Sequence, residues 1–140
     1  MRAGYNNKAM DEFTLICAAV RASYARVGRP GCVIAALSGG ADSVLLLRAL
    51  RTLREETPFE LRAVHVNHGL RENAAIDEAF CRELCAKWHV PLAVFHVQVD
   101  SHGSTEDAAR RARYAAFEQA MPAGQAAVLA LAHHMDDQAE

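Results

Sequence analysis

Ser38-Gly39-Gly40-Ala41-Asp42-Ser43 sets two glycines, two hydroxyls and a carboxylate directly behind an apolar run. Between a strand and a helix, such a segment gathers unpaired backbone N–H groups and the positive end of the helix macrodipole at one point, which is an anion site. Gly39 and Gly40 have no side chain to obstruct a phosphate and accept positive φ, while Ser38 and Ser43 add hydroxyl donors. Asp42 is out of place beside an anion alone, because a carboxylate next to pyrophosphate repels it unless a divalent cation lies between them. The segment predicts phosphate held over Ser38, Gly39, Gly40, Ala41 and Ser43, with Mg²⁺ linking it to Asp42. An ordinary tight turn capped by Ser38 or Asp42 is the alternative reading. The Walker ending Gly-Lys-Ser/Thr and the G-x-G-x-x-G spacing are both missing, which disfavours those nucleotide folds.

Other residues carry potential chemistry. Arg110 and Arg113 are three apart, hence neighbours on one helical face, and forked guanidinium groups suit bidentate contacts with phosphate. Against this stands a plain solvated face, to which Arg111 between them would belong. His133, His134, Asp136 and Asp137 bring imidazoles and carboxylates into a short span of the kind used for zinc or iron, but their spacing departs from H-E-x-x-H. Arg48, Arg51 and Arg54 recur every third residue and read as a solvated helix face before an RNA contact. His65 and His68 have no partner that the sequence identifies. Cys81 and Cys85, four apart, read as buried helix packing.

These residues need elements to hold them. Gly31 to Leu37 is a short continuous apolar run, the pattern of a strand buried on both faces, and Ser43 to Glu55 places Val44, Leu45, Leu47 and Leu50 at helical spacing before Pro58. The pattern repeats, with Leu61 to Val66 and Leu92 to Val99 as strands, Ala74 to Trp88 and Ser104 to Ala120 as helices, and Ala126 to Ala132 as a fourth apolar run. Residues 1–30 form a leading amphipathic helix of the same domain, and 31–140 the domain proper. Such alternation implies an α/β three-layer sandwich on a parallel sheet, with ligands collecting beyond the carboxyl ends of the strands. The residues singled out above cluster at those ends.

The segment Leu37 to Ser43 resembles the S-G-G-x-D-S signature of the PP-loop ATP pyrophosphatases, which cleave ATP between its α and β phosphates. Within them, Val66-Asn67-His68-Gly69-Leu70-Arg71, the Ala-Arg-x-x-Arg-Tyr run at Ala109 to Tyr114, and His133 to Glu140 are similar to runs of the tRNA(Ile)-lysidine synthase family. The resemblance covers roughly residues 31 to 140 with four motifs in order. It implies ATP and Mg²⁺ as cofactors, and isoleucine tRNA with a CAU anticodon and L-lysine as partners. ATP would adenylate the C2 oxygen of the wobble cytidine, and the lysine ε-amine would displace AMP. On this resemblance Asp42, Arg110, Arg113, Asp136 and Asp137 are the catalytic residues and His133 joins the loop in binding nucleotide. Asp136 or Asp137 would hold or deprotonate the lysine amine. The rivals are tRNA 2-thiolation, which relies on cysteines near the active loops, an amidotransferase-linked synthetase, and a non-catalytic nucleotide sensor.

Composition agrees with a single domain: 140 residues, 51% hydrophobic and 23% charged, enough for one core. The apolar run Leu15 to Val20 is too short for a membrane span and is surrounded by charge, so neither a signal peptide nor a membrane partner is expected. Four cysteines without a metal-finger pattern suggest a reduced, cytoplasmic chain. A net charge of −2 leaves any RNA site local. A homodimer is among the assemblies considered. Because the last motif breaks off at Glu140, the expectation is an incomplete domain that does not by itself perform the whole reaction.

Overall fold

The computed structural model describes residues 3–69, 73–98 and 105–132. Its elements run α1 (Ala3–Arg26), β1 (Cys32–Ala36), α2 (Ala41–Glu56), β2 (Glu60–Asn67), α3 (Ala74–Trp88), β3 (Leu92–His96), α4 (Thr105–Ala120) and β4 (Ala127–Ala130). All strand pairs are parallel, in the order β3-β2-β1-β4. The α/β alternation expected from the sequence is therefore realised.

Period-two alternation sorts the strand residues between two helical layers. Val33, Ala35 and Leu37 of β1 and its exit, with Leu61 and Ala63 of β2, face α1, α2 and α3. There they pack with Val20, Leu46, Leu47, Leu50, Leu53, Cys81 and Cys85. Cys32, Ile34 and Val64 face the opposite side, where Phe117 of α4 covers them together with Val66, Phe95 and Leu129. β1 is thus covered on both faces and paired on both edges, which is why it reads as an unbroken apolar run. Fully burying a side chain such as Ile34 or Leu47 stabilises the fold by about 1.5–3 kcal/mol.

Most element ends fall within a residue or two of the sequence expectation, and two of the differences bear on the site. α2 starts at Ala41 rather than Ser43, because its first turn lies at the cavity described below and carries no apolar signal. β3 stops at His96, not Val99: its neighbour β2 ends at Asn67, whose carbonyl accepts the Val97 N–H at 3.0 Å in the last bond between them. Beyond Asn67, β2 offers β3 no further ladder to follow.

Helix α1 closes the first layer. The Tyr24 hydroxyl donates to the Pro30 carbonyl at 2.7 Å and its ring tilts against Phe59, while Arg21 forms a two-pronged pair with Glu56. The arginine stripe of α2 is partly packed: Arg48 lies over the Phe13 ring and Arg51 over that of Trp88. Those two positions serve the α1–α2 and α2–α3 contacts. Cys81 and Cys85 are buried as expected, whereas Phe80, one residue round the helix from Cys81, is turned outward. Among the described residues, no helix is long and apolar enough to cross a membrane.

Candidate active site

β1 delivers Ser38–Ser43 to the carboxyl edge of the sheet between β2 and β4, where the strand order reverses. The N-cap of α2 is Gly40, extended at φ −82° and ψ 164°, and no side chain caps it. The capped-turn reading thereby loses its cap, and the first-turn amides point along the helix axis out of the loop. The loop's own hydroxyls hold its shape. Ser43 is buried, and its Oγ accepts the Ser38 N–H at 3.0 Å and donates to the Gly40 carbonyl at 3.0 Å. Ser38 Oγ lies 3.1 Å from Ser43 Oγ and accepts the Gly40 N–H at 3.2 Å. In this arrangement the Ser43 proton is taken by Gly40, so Ser43 shapes the loop, and the anion donors are backbone amides other than those of Ser38 and Gly40.

Gly39 adopts φ +95°, and a Cβ there would stand 3.3 Å from Asp77 Cβ and 3.5 Å from its carboxylate oxygen. Sequence reasoning passed over Asp77, because an acidic residue in the first turn of a helix ordinarily only complements the macrodipole. Its nearness to Gly39 arises from tertiary packing of α3 against the loop.

A cavity of about 710 Å³ opens over the loop, within the range of small-molecule sites. Its walls come from Ser38 and Gly40–Ser43, from the β2 end at His65–Gly69, from Asp77, from Arg113 and Phe117 of α4, and from Leu131 and Ala132 after β4. His65 is buried, with Nδ1 2.8 Å from the Leu37 carbonyl and 3.6 Å from Cys81 Sγ. That contact ties β2 to the residue preceding the phosphate loop and makes Nδ1 the protonated nitrogen. His68 has a buried Nδ1 without a hydrogen-bond partner among the described residues. Burial, followed by the charge of Arg113 and then His65, pushes its pKa down and keeps the ring neutral. Arg113 and Arg110 part company: Arg113 is half-buried in the cavity wall, whereas Arg110 is exposed outside it, and each guanidinium lies 5.8 Å from the Tyr114 ring.

The donor set suits a divalent cation. Asp42 and Asp77 border one cavity together with the amide donors of the loop, so a cation and a phosphate would each find matching groups. No cluster of three or more His, Cys, Asp or Glu side chains able to hold a metal exists among the described residues. One or two carboxylates completed by phosphate oxygens is the pattern of Mg²⁺ bound with its substrate. His133, Asp136 and Asp137, and the metal reading that included His134, lie outside the described residues.

Comparison with known proteins decides the family, since the model of the PP-loop domain matches residues 16–140. The chain belongs to the PP-loop domain family. The match starts at Ile16, within α1. This PP-loop domain is similar to tRNA(Ile)-lysidine synthases: 46% identical over 110 residues to that of Enterobacter sp. (strain 638), covering 77% of the chain and 25% of the relative. It is 48% identical over 110 residues to that of Serratia proteamaculans (strain 568), with the same coverage. With that of Xanthomonas axonopodis pv. citri (strain 306) it shares 50% over 113 residues, covering 79% of the chain and 25% of the relative. The chain spans about a quarter of the length of the curated relatives it matches.

Proposed function

We propose that this PP-loop domain is the ATP-using part of a cytoplasmic ligase that joins L-lysine to the wobble cytidine of isoleucine tRNA bearing a CAU anticodon. The observation that carries the reading is the uncapped, glycine-containing loop at the strand-order reversal, opening into a cavity that also holds Asp42 and Arg113. The named relatives supply the acceptor and the amine.

In this reading the amides of Gly39, Ala41 and Asp42 receive the pyrophosphate portion of ATP, while the Gly40 amide is held by Ser38 and Ser43 keeps the loop aligned. Arg113 faces charge developing at the α-phosphate as the cytidine C2 oxygen attacks and pyrophosphate departs. Its guanidinium is half-buried, where a fixed charge acts more strongly than in water. Arg110, exposed outside the cavity, would meet a tRNA phosphate. Asp42, joined by Asp77, would hold Mg²⁺, which when bound neutralises phosphate charge. His68, neutral and with an unpartnered nitrogen, offers a hydrogen bond in place of a second positive charge. Asp136 or Asp137 accepts the proton of the lysine amine before it displaces AMP, and His133 adds to the nucleotide contacts. Sulfur delivery is poorly served: all four cysteines are free, but burial pushes Cys81 to about 12 and Cys85 to about 11, and raises Cys32 and Cys17 as well. None of them lines the cavity.

The test is pyrophosphate release by the full-length protein given ATP, Mg²⁺, unmodified tRNA and labelled lysine. Release that depends on this tRNA, with label entering it, is expected. Release without lysine incorporation would transfer the reading to thiolation, and ATP binding without release to a nucleotide sensor.

A further inference from the structure

Glu78, on the second turn of α3, belongs to none of the sequence motifs, yet its carboxylate joins three side chains beside the cavity. The side chain is 16% exposed. Oε1 accepts the Asn67 amide N–H at 2.9 Å and lies 2.7 Å from His96 Nε2, and Oε2 accepts the Arg82 Nε–H at 2.9 Å. Asn67 and His96 are cross-strand partners at the last positions of β2 and β3. One carboxylate from the helix thus fastens the carboxyl ends of two strands.

The consequence for Asn67 is directional. An ionised carboxylate only accepts, so it must face the amide nitrogen, which leaves Oδ1 on the other side. There Oδ1 accepts the Gly69 N–H at 2.8 Å, closing an Asx turn that carries Gly69 into the left-handed region at φ +71°. Asn67, His68 and Gly69 form the cavity wall that β2 contributes.

We propose that Glu78 is a positioning residue for the nucleotide cavity: by fixing the amide of Asn67 it presets the Asn67–Gly69 turn before nucleotide enters. The inference rests on the reading of the cavity as an ATP site. Without Glu78 the amide nitrogen keeps a longer bond, 3.5 Å to the Ala74 carbonyl, so the amide is held less firmly and ATP must order the turn as it binds.

The test measures Mg²⁺-ATP affinity by calorimetry and steady-state kinetics in the full-length protein. Glu78→Ala weakens ATP binding and raises its KM about tenfold while kcat stays within about twofold, because the turn is ordered once ATP is bound. Glu78→Gln keeps a carbonyl acceptor for Asn67 and recovers affinity to within about threefold. Asn67→Ala shows the same loss, and adding Glu78→Ala to it brings no more, because both act through one turn. Unchanged affinity in a folded Glu78→Ala protein, or losses that multiply in the double variant, would overturn the proposal. If Glu78→Ala does not fold, weakened binding by Asn67→Ala with near-normal binding by Glu78→Gln supports it, and normal binding by Asn67→Ala overturns it. Calorimetry needs neither tRNA nor lysine. A failure of lysine incorporation with this pattern intact removes only the proposed reaction, whereas no ATP binding by the wild type removes both.

Discussion

The phosphate loop after β1 and the turn after β2 wall the same cavity, but they are held in different ways. Every side-chain bond that shapes the first joins residues within five positions of one another, from Ser38 to Ser43. The second depends on Glu78 from α3 and on the register that sets His96 beside Asn67. A loop that carries its own scaffold can be transplanted with its sequence, whereas a turn held from outside responds to changes in distant elements. The difference also explains which of the two announces itself as a motif.

Breaking the self-contained loop should have the largest effect. Ser43→Ala removes an acceptor and a donor at a buried position, taking the hydroxyl partner from the Ser38 amide and leaving the Gly40 carbonyl with the Val44 N–H alone. A loss of about 1–3 kcal/mol in stability is expected, read from urea unfolding, with pyrophosphate release falling on the order of a hundredfold as the amides lose alignment. Ser43→Thr keeps the hydroxyl and should retain more of both.

A glycine pair sharpens the comparison. Gly39 and Gly69 both have positive φ, but an added methyl at Gly39 also meets Asp77 at 3.3 Å, while at Gly69 it meets nothing within 4 Å. Gly69→Ala should cost only backbone strain, about 1–2 kcal/mol. Gly39→Ala should cost at least as much and displace Asp77, so its ATP affinity should fall further at equal or lower melting temperature. Equal effects of the two substitutions would show that the contact with Asp77 yields easily.

The smallest effect is acid sensitivity of the externally held turn. The Asn67 amide first, then Arg82 and His96, hold the Glu78 carboxyl down from 4.5 to about 2. A depressed carboxyl contributes stability that is present above its unfolded value and is lost as pH falls through the folded one. Relative to Glu78→Gln, the wild type should keep its advantage above pH 4.5 and lose it towards pH 2, as measured by urea midpoints across that range. A constant difference would mean that the carboxylate charge contributes nothing to the turn.

What could be read from the sequence follows the same division. Strand β1, helix α2 and the loop between them were legible because their signals are local: an unbroken apolar run, helical spacing, paired glycines. The limits of Ala74–Trp88 were legible too, with His89 in the left-handed conformation and Pro91 beyond it. Glu78 and Asp77 were not, since an acidic pair early in a helix looks like dipole matching and only tertiary packing brings one to Asn67 and the other to Gly39. His65 was visible as a histidine, but its Leu37 and Cys81 partners lie 28 and 16 positions away. The separation of Arg113 from Arg110 likewise depends on how α4 is rotated against β2, to which a three-residue spacing is blind.

The central position of β1 has a consequence for the order in which this architecture can be made. Its first neighbour, β2, follows after one helix, but its other neighbour, β4, arrives only after one further strand and two further helices have been synthesised. Parallel pairing admits no hairpin shortcut, so the β1–β4 ladder is the least local in the sheet and is expected among the slowest to form. As the chain leaves the ribosome, the phosphate loop is therefore built early on an open edge of the sheet, and the cavity gains its last wall only when β4 docks.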